Sequence, residues 1–273
     1  MKNIKTGFIG GGNMARSLIG GLLASGCSAD SIHVSDRDLT QLTSIKTDLG
    51  VHTHESNQSV VDTCDVIVLA VKPQVMKDVV TALSHDNMAD KLLITIAAGI
   101  ETAAIARWLG VDCAIVRSMP NTPALVKSGA TGMFANQHTG ESQHEIAESI
   151  LRAVGLTVWV DKEADIDAIT ALSGSGPAYL FLVMEAMEQA GIKLGLPAET
   201  ARLLAVQTAF GASKLALEIE EDPAILRERV TSPGGTTEQA LKVFEEGQLL
   251  ALFEQAMTAA RDRARELAQQ LGQ

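Results

Sequence analysis

The sequence is poor in several residue types, and each shortage excludes a class of protein. Aromatic residues make up 3% of the 273 residues, and the three cysteines, Cys27, Cys64 and Cys113, form no CxxC pair. Because the cysteines are few and odd in number, they argue against a disulfide framework or a cysteine zinc site. Such cysteine usage is typical of a reducing compartment. Lys and Arg number 22 against 33 acidic residues, which gives a net charge of −11. The chain therefore lacks the basic surface of a nucleic-acid-binding protein.

Long apolar runs are also missing. No stretch reaches the roughly 18 uninterrupted apolar residues of a membrane span, and the apolar run within Met1–Gly12 is too short for a signal peptide. With 46% hydrophobic and 20% charged residues, the composition is that of an ordinary globular protein. We expect a cytoplasmic protein of one large or two modest domains, with neither nucleic acid nor membrane as a partner.

The first 160 residues alternate short β-branched runs with helical patterns. Strands are predicted at Thr6–Ile9, Ile32–Ser35, Val66–Ala70, Leu92–Ile96, Ala114–Arg117, Gly129–Phe134 and Leu156–Val160. Helices are predicted at Asn13–Ser25, Leu39–Leu49, Val75–Leu83, Thr102–Leu109 and near Ser142–Val154. Most of the strands are apolar along their whole length, which indicates a parallel sheet covered by helices on both faces. We therefore predict an α/β domain over residues 1–160.

The pattern changes after Val160, where strand signals vanish. Helices are predicted at Asp165–Leu172, Ala178–Ala190, Ala198–Leu217, Pro223–Val230 and from Thr237 to the end. We therefore predict an all-helical domain over residues 161–273, with a core of Leu and Ala. A small helical domain of this kind often completes its core by dimerising, so we expect a homodimer or a higher assembly of dimers.

A glycine-rich segment closes the first strand and opens the first helix. Gly10 to Ala15 fits the pattern G-x-G-x-x-A, in which the first glycine allows a tight turn and the second admits a pyrophosphate at a helix N-terminus. A strand before it and a helix after it make the match more specific. It predicts a Rossmann-type dinucleotide site, and the alternative is a glycine-rich turn without a ligand. The expected cofactor contacts here are Gly10, Gly11, Gly12, Asn13 and Met14.

Cofactor preference depends on the end of the second predicted strand. Asp36 suits the ribose diol of NAD, whereas Arg37 suits the 2′-phosphate of NADP, and Ser35 can donate to a phosphate. We expect NADP(H) to be preferred and NAD(H) to be usable, with a solvated Arg37 as the alternative. Further contacts, mainly from the backbone, are expected from a segment at the end of a later strand. It comprises Ala70, Val71, Lys72 and Pro73.

The sequence offers no obvious catalytic acid. None of the six histidines falls at the C-terminus of a predicted strand, and each is expected at the surface: His33, His52, His54, His85, His138 and His144. No metal-binding set is recognisable, and the G-x-S-x-G pattern of a nucleophile elbow fails at Pro177. Reduction of a C=N bond fits this shortage, because a protonated imine is already electrophilic. The protein then needs only to align substrate and nicotinamide.

Three segments are rich in Gly, Pro and hydroxyl residues. They are Arg117–Ala124, Leu172–Tyr179 and Val230–Thr237. The small residues of the last segment expose consecutive backbone N–H groups before a helix, which suits a carboxylate. Tight interhelical turns are the alternative for each segment.

These segments carry a resemblance to a known family. Phe8–Ala15, Ala70–Gln74, Arg117–Ala124, Leu172–Tyr179 and Thr231–Thr237 resemble, in order and spacing, the pyrroline-5-carboxylate reductases. The resemblance runs nearly end to end. It implies a Rossmann-type domain followed by an all-helical dimerisation domain. It also implies NAD(P)H-dependent reduction of 1-pyrroline-5-carboxylate to L-proline, the last step of proline biosynthesis.

The resemblance further implies roles for individual residues. Thr237 would be the catalytic hydroxyl near the ring nitrogen, and Glu163 would lie near the substrate. Asn57 would lie near the adenosine phosphate, and Asn121 would lie in the loop below the nicotinamide. The loop that holds the substrate carboxylate would consist of Ser232, Gly234, Gly235 and Thr236.

Two other functions remain open at this point. A β-hydroxyacid dehydrogenase has a similar plan but typically carries a lysine on the long interdomain helix. This chain has Gly174 to Pro177 in that neighbourhood, with Lys162 and Lys193 displaced from it. A nucleotide-binding protein without catalysis is the second alternative. The Thr231–Thr237 loop argues against it, because such a protein has no need of an anion site.

Overall fold

The computed structural model of the chain describes residues 4–84, 86 and 88–273. Its eight strands are β1 (Thr6–Ile9), β2 (Ile32–Ser35), β3 (His52–His54), β4 (Val66–Leu69), β5 (Leu92–Thr95), β6 (Ala114–Met119), β7 (Gly129–Ala135) and β8 (Gly155–Trp159). The helices among them are α1 (Asn13–Ala24), α2 (Leu39–Leu49), α3 (Asn57–Thr63), α4 (Pro73–Thr81), α5 (Thr102–Leu109) and α6 (Glu141–Arg152). The helices after β8 are α7 (Asp165–Ile169), α8 (Gly176–Lys193), α9 (Ala198–Glu218), α10 (Pro223–Arg229), α11 (Thr236–Glu246) and α12 (Leu249–Leu271).

The strands form one sheet in the order β3-β2-β1-β4-β5-β6-β7-β8. All neighbours pair in parallel except β6 and β7, which pair antiparallel. The chain order reverses between β1 and β4, and open α/β sheets bind ligands at such a switch point. The predicted Rossmann-type sheet followed by a helical region is confirmed.

Strand alternation gives this sheet two apolar faces. On β1, Phe8 packs with α1 residues such as Leu18, whereas Ile9 packs into a second cluster with Met76 of α4 and Ile105 of α5. All five side chains are completely buried. Each contributes roughly 1.5–3 kcal/mol relative to an exposed position. This two-sided core fixes the strand ends that carry the candidate site.

Several elements differ from the sequence predictions. β3 was not predicted, because its His-Thr-His sequence at a sheet edge has no apolar pattern. β7 is antiparallel to β6, because only a short turn, Thr122–Val126, joins them and a parallel pair needs a long crossover. α4 begins at Pro73, a first-turn proline. The last predicted helix is two helices, α11 and α12, with Gln248 between them at a φ of 53°.

The chain divides into two compact units. The first runs to Ser175 and includes Ala259–Gln273, and the second is Gly176–Thr258. The predicted boundary between residues 160 and 161 stays a prediction, because a division by compactness does not test it. Within the first unit, the end of α12 packs near Gly99, where an added Cβ would lie 3.2 Å from the Cβ of Leu267.

The second unit leaves much of its apolar surface exposed. Large side chains along its helices are more than half exposed, including Leu182, Leu203, Phe210, Leu217 and Leu250. Among its described residues only Ala201 and Ala205 are buried apolar residues. An apolar surface of this extent marks a site of interaction.

One helical stretch, Asp165–Lys193, is long and apolar enough to cross a membrane by length and composition alone, with a mean hydropathy of 1.3. A single stretch of this kind is weak evidence for a membrane span.

Candidate functional site

The glycine-rich turn between β1 and α1 has the geometry of an anion site. Gly10 has a φ of 101°, and a Cβ there would lie 2.6 Å from the carbonyl oxygen of Ala70. α1 has Gly12 at its N-cap, without a side-chain cap and without an acidic residue in its first turn. The space beside Gly12 is open for 4 Å. The first N–H groups of α1, from Asn13 and Met14, are therefore available to a phosphate. This turn fits a dinucleotide.

Two side chains hold this turn, Asp36 after β2 and Gln41 in α2. Asp36 Oδ2 accepts a hydrogen bond from the Gly11 N–H at 2.7 Å, and its Oδ1 accepts one from the Asp38 N–H at 2.9 Å. Gln41 Nε2 donates to the Gly11 carbonyl. Asp36 thus fixes the turn as well as lying where a ribose is expected. Gln41 carries no local sequence signal, because its contact spans thirty residues.

An exposed arginine, Arg37, follows the end of β2. Ser35 is completely buried, and its hydroxyl donates to Asn57 Oδ1 at 2.8 Å, so the structure brings these two predicted residues together. A phosphate contact from Ser35 would require that hydroxyl to leave Asn57. Arg37 is exposed and makes no side-chain hydrogen bond or ion pair within residues 4–84, 86 and 88–273. Its guanidinium is available to an anionic ligand.

The segment after β4 lies at the same edge of the sheet as the glycine turn. β1 and β4 pair in register, with Ile9 opposite Leu69. Ala70 and Val71 are half-buried, and Lys72 is exposed. Pro73 starts α4 as its first residue. The segment is placed where its backbone can contact a ligand in the β1–β4 crevice.

Asn121 follows β6 and is buried, with 8% of its surface exposed. Its Nδ2 donates to the Ser173 carbonyl at 2.9 Å, and its Oδ1 accepts from the Ala130 N–H at 2.9 Å. Ser173 lies in a π-helical turn, Thr170–Gly174. Both ends of the Asn121 amide are thus used within the protein.

A buried charge network lies behind this edge. Arg117 on β6 is 2% exposed, and its Nη2 donates to Asp167 Oδ1 at 3.0 Å. Its Nη1 lies 3.5 Å from Glu163 Oε1. Glu163 also accepts hydrogen bonds from the Thr102 N–H at 2.7 Å and from the Thr102 hydroxyl at 2.8 Å. The predicted substrate residue Glu163 therefore caps α5 in this structure. Asp167, the main partner of Arg117, was not identified from the sequence, since nothing local marks a pairing fifty residues away.

The Val230–Thr237 segment leads into α11 in the second unit. Gly234 has a φ of 72°, and a Cβ at Gly235 would lie 2.5 Å from Ser232 Oγ, so the tight turn requires both glycines. The Gly235 N–H donates to the Ser232 carbonyl at 3.0 Å. The Gly234 N–H donates to Glu238 Oε2 at 2.8 Å, so a carboxylate already lies against this turn.

The start of α11 leaves donors for a second anion. Gly235 is the N-cap, and Thr236 and Thr237 are the first two helical residues, whose N–H groups have no partner within the helix. Thr237 is half-buried. A capping role, the ordinary explanation for a threonine at a helix start, belongs to Gly235 instead.

Three of the described histidines cluster at β2 and β3. His33 Nδ1 lies 2.9 Å from His54 Nε2, and the His33 ring stacks on His52 with centroids 4.8 Å apart. His33 is buried, not at the surface as predicted. Burial, and then the nearby His52 and His54, lower its pKa to about 4. Its imidazole is therefore neutral at neutral pH. His85 lies outside the described residues.

The described residues contain no metal centre, and two of the free thiols are unreactive. Within them, no three His, Cys, Asp or Glu side chains are placed to hold a metal ion. Burial raises the pKa of the Cys64 thiol to about 12 and that of Cys113 to about 11. Both thiols are protonated at neutral pH and are poor nucleophiles.

Comparison with known proteins adds independent information. Two family models match: "NADP oxidoreductase coenzyme F420-dependent" over residues 5–99 and "Pyrroline-5-carboxylate reductase dimerisation" over residues 163–267. The second covers the exposed apolar helices, including the long apolar stretch after Asp165.

Relatives match over the full length of the chain. The pyrroline-5-carboxylate reductase of Pseudomonas aeruginosa is 51% identical over 100% of both chains, and that of Escherichia coli is 37% identical over 96% and 98%. A solved reductase from Coxiella burnetii superposes with a TM-score of 0.93 at 50% identity over 97% and 98%. The Plasmodium falciparum pyrroline carboxylate reductase, solved with NADP bound, superposes with a TM-score of 0.85. It is 29% identical, and the match covers 98% of this chain and 99% of that one. The glycine turn, the crevice and these full-length matches together show that the chain is an oxidoreductase and belongs to the pyrroline-5-carboxylate reductase family.

Proposed function

We propose that this chain catalyses the NAD(P)H-dependent reduction of 1-pyrroline-5-carboxylate to L-proline, the last step of proline biosynthesis. The observation that carries the proposal is the 51% identity over the full length of a pyrroline-5-carboxylate reductase. The match spans the whole chain, so it covers the segments that contain the glycine turn, the Asn121 loop and the Thr231–Thr237 loop.

The cofactor supplies the hydride, and the chain holds the cofactor. The first N–H groups of α1 would bind the pyrophosphate, with Gly10 giving the necessary turn. Asn57 and the Ala70–Pro73 segment would line the crevice beside it. We propose NADPH as the preferred cofactor and NADH as a usable one. The exposed guanidinium of Arg37 supports this preference, because it can pair with a 2′-phosphate.

The chain needs to orient the imine and does not need a strong acid. The carboxylate of the substrate would bind at the turn formed by Ser232, Gly234 and Gly235, with the free N–H group of Thr236 as a donor. The Thr237 hydroxyl would bond the ring nitrogen as the iminium becomes an amine.

We also propose a homodimer, or an assembly of dimers, in the cytoplasm. The apolar side chains exposed on α8 and α9 support a second copy of this chain as the partner, since the dimerisation family model covers them.

The start of that family model at residue 163 supports the domain division 1–160 and 161–273. The three free cysteines are compatible with a reducing compartment.

Turnover of the purified chain tests the proposal. Incubation with NADPH and pyrroline-5-carboxylate should consume the reduced nicotinamide and form L-proline in equal amounts. The matched negative control is Gly10→Ala, whose Cβ would collide with the Ala70 carbonyl and distort the turn. Nicotinamide oxidation without proline formation, or an equal rate of NADPH oxidation with a β-oxo acid, the substrate that a β-hydroxyacid dehydrogenase would reduce, would contradict the proposed function.

A further inference from the structure

We propose that Asn121 is a positioning residue, which holds the π-helical turn Thr170–Gly174 against the end of β6, and that it is not a ligand of the cofactor. The consequence for the reaction rests on the proposed function. The structural coupling does not, because it follows from hydrogen bonds within the chain itself.

The Asn121 side chain is committed to the protein at both ends. It is 8% exposed, its Nδ2 donates to the Ser173 carbonyl and its Oδ1 accepts from the Ala130 N–H, each at 2.9 Å. Ala130 is on β7, so one amide joins β6, β7 and the π-helical turn. A buried amide with both ends bonded is typical of a residue that fixes a backbone arrangement.

The sequence explains why Ser173 needs this donor. In an α-helix the N–H of residue 177 would bond the carbonyl of residue 173, but Pro177 has no N–H. The helix widens before it, and the Ser175 N–H reaches back to the Thr170 carbonyl at 2.8 Å. Asn121 then supplies the hydrogen bond that Pro177 cannot make. Two motifs far apart in the chain, Arg117–Ala124 and Leu172–Tyr179, are complementary at this point.

A packing contact joins the same two segments. A Cβ at Gly174 would lie 2.6 Å from the methyl carbon of Met119, the last residue of β6, so the absence of a side chain at Gly174 lets Met119 approach closely. The turn is thereby held at two adjacent points. π-helical turns often lie at functional sites, and this one immediately precedes α8.

The proposal predicts a separation of binding and turnover. Without the Asn121 amide the turn loses its support, and the alignment of substrate with the cofactor suffers while cofactor binding does not. We expect Asn121→Ala to lower kcat about tenfold or more and to leave the dissociation constant of NADPH within about twofold. NADPH binding is measured by fluorescence titration without substrate. Asn121→Asp keeps an acceptor for Ala130 but loses the donor, so it should show the same separation.

A compensating substitution provides the sharpest test. Pro177→Ala restores a backbone N–H for the Ser173 carbonyl, so Asn121→Ala/Pro177→Ala should recover kcat at least about threefold over Asn121→Ala. The melting temperatures of the wild type, the two single variants and the double variant should show the same compensation. Pro177→Ala should offset part of the loss caused by Asn121→Ala, whether or not the chain reduces pyrroline-5-carboxylate. Failure of the proposed function is therefore distinguishable from failure of this inference.

Asn136 is the matched control. It bonds the Cys113 carbonyl and the Ile115 N–H near the opposite end of β6, at 2.9 and 3.1 Å. Asn136→Ala should lower the melting temperature and leave kcat within about twofold of wild type. A tenfold weaker binding of NADPH to Asn121→Ala with kcat intact would overturn the inference, as would the absence of any coupling between residues 121 and 177. If Asn121→Ala does not fold, Asn121→Asp and its double variant with Pro177→Ala decide the question by the same criteria.

Discussion

The buried ion pair between Arg117 and Asp167 leads to a quantitative prediction about stability. The two side chains are 2% and 9% exposed and lie 3.0 Å apart. Asp167→Ala leaves a buried guanidinium with Glu163, 3.5 Å away, as its remaining partner. Removal of one member of a buried pair costs about 3–5 kcal/mol. We expect the lower end of this range, about 3 kcal/mol, because Glu163 retains part of the interaction.

Urea denaturation at a fixed protein concentration measures this loss. With a slope of about 3 kcal/mol per M, the expected loss lowers the midpoint by about 1 M. Replacement of both partners by apolar residues, Arg117→Met/Asp167→Leu, should recover most of the loss, because it leaves neither charge buried alone.

An exposed ion pair in the same unit serves as the control. Arg152 lies 3.2 Å from Glu148, and its side chain is 68% exposed. Arg152→Ala should therefore change stability by no more than about 0.5 kcal/mol. An effect of Asp167→Ala as small as that of Arg152→Ala would refute the reasoning. A double variant less stable than Asp167→Ala would refute it as well.

Three further predictions concern the cofactor, the substrate and pH. Arg37→Ala should raise the KM for NADPH about tenfold or more and leave that for NADH nearly unchanged, since a charge-assisted phosphate contact contributes about 1.5–3 kcal/mol. Equal effects on both cofactors would mean that Arg37 does not contact the 2′-phosphate. Thr237→Ala should lower kcat/KM about tenfold without lowering the melting temperature, and wild-type kcat/KM would refute its catalytic role. His33, with its pKa lowered to about 4, should add at most about 3 kcal/mol of stability above pH 6.5, lost as the pH falls to 4. In urea denaturation, His33→Asn should weaken that dependence, and a pH dependence equal to that of the wild type would refute the assignment.

The sequence predicts the fold well where the pattern is local. The buried strands β1, β2, β4, β5 and β6 are short runs rich in apolar residues, and the glycine turn has its own pattern, so both could be found without a structure. β3 could not be found, because its residues are polar and it lies at the edge of the sheet, where it pairs with β2. The burial of His33 follows from the same pairing and was missed for the same reason.

The contacts of the candidate site residues could not be predicted from the sequence. Asn121 and Glu163 were expected at the ligands, and the structure shows both bonded to other parts of the protein. These contacts join residues 52 and 61 positions apart. Long-range hydrogen bonds leave no periodicity in the sequence. Their partners, Ser173 and Thr102, carry no local signal either.

The fate of the hydride tests the central claim most directly. NADPH that carries deuterium at the transferred position should, with pyrroline-5-carboxylate and the wild-type chain, give L-proline with one deuterium on the δ carbon. That carbon is the former imine carbon. Mass spectrometry with fragmentation locates the label. Labelled proline formed only with the complete system would agree with the account. Unlabelled proline, or no proline despite oxidation of the nicotinamide, would contradict it.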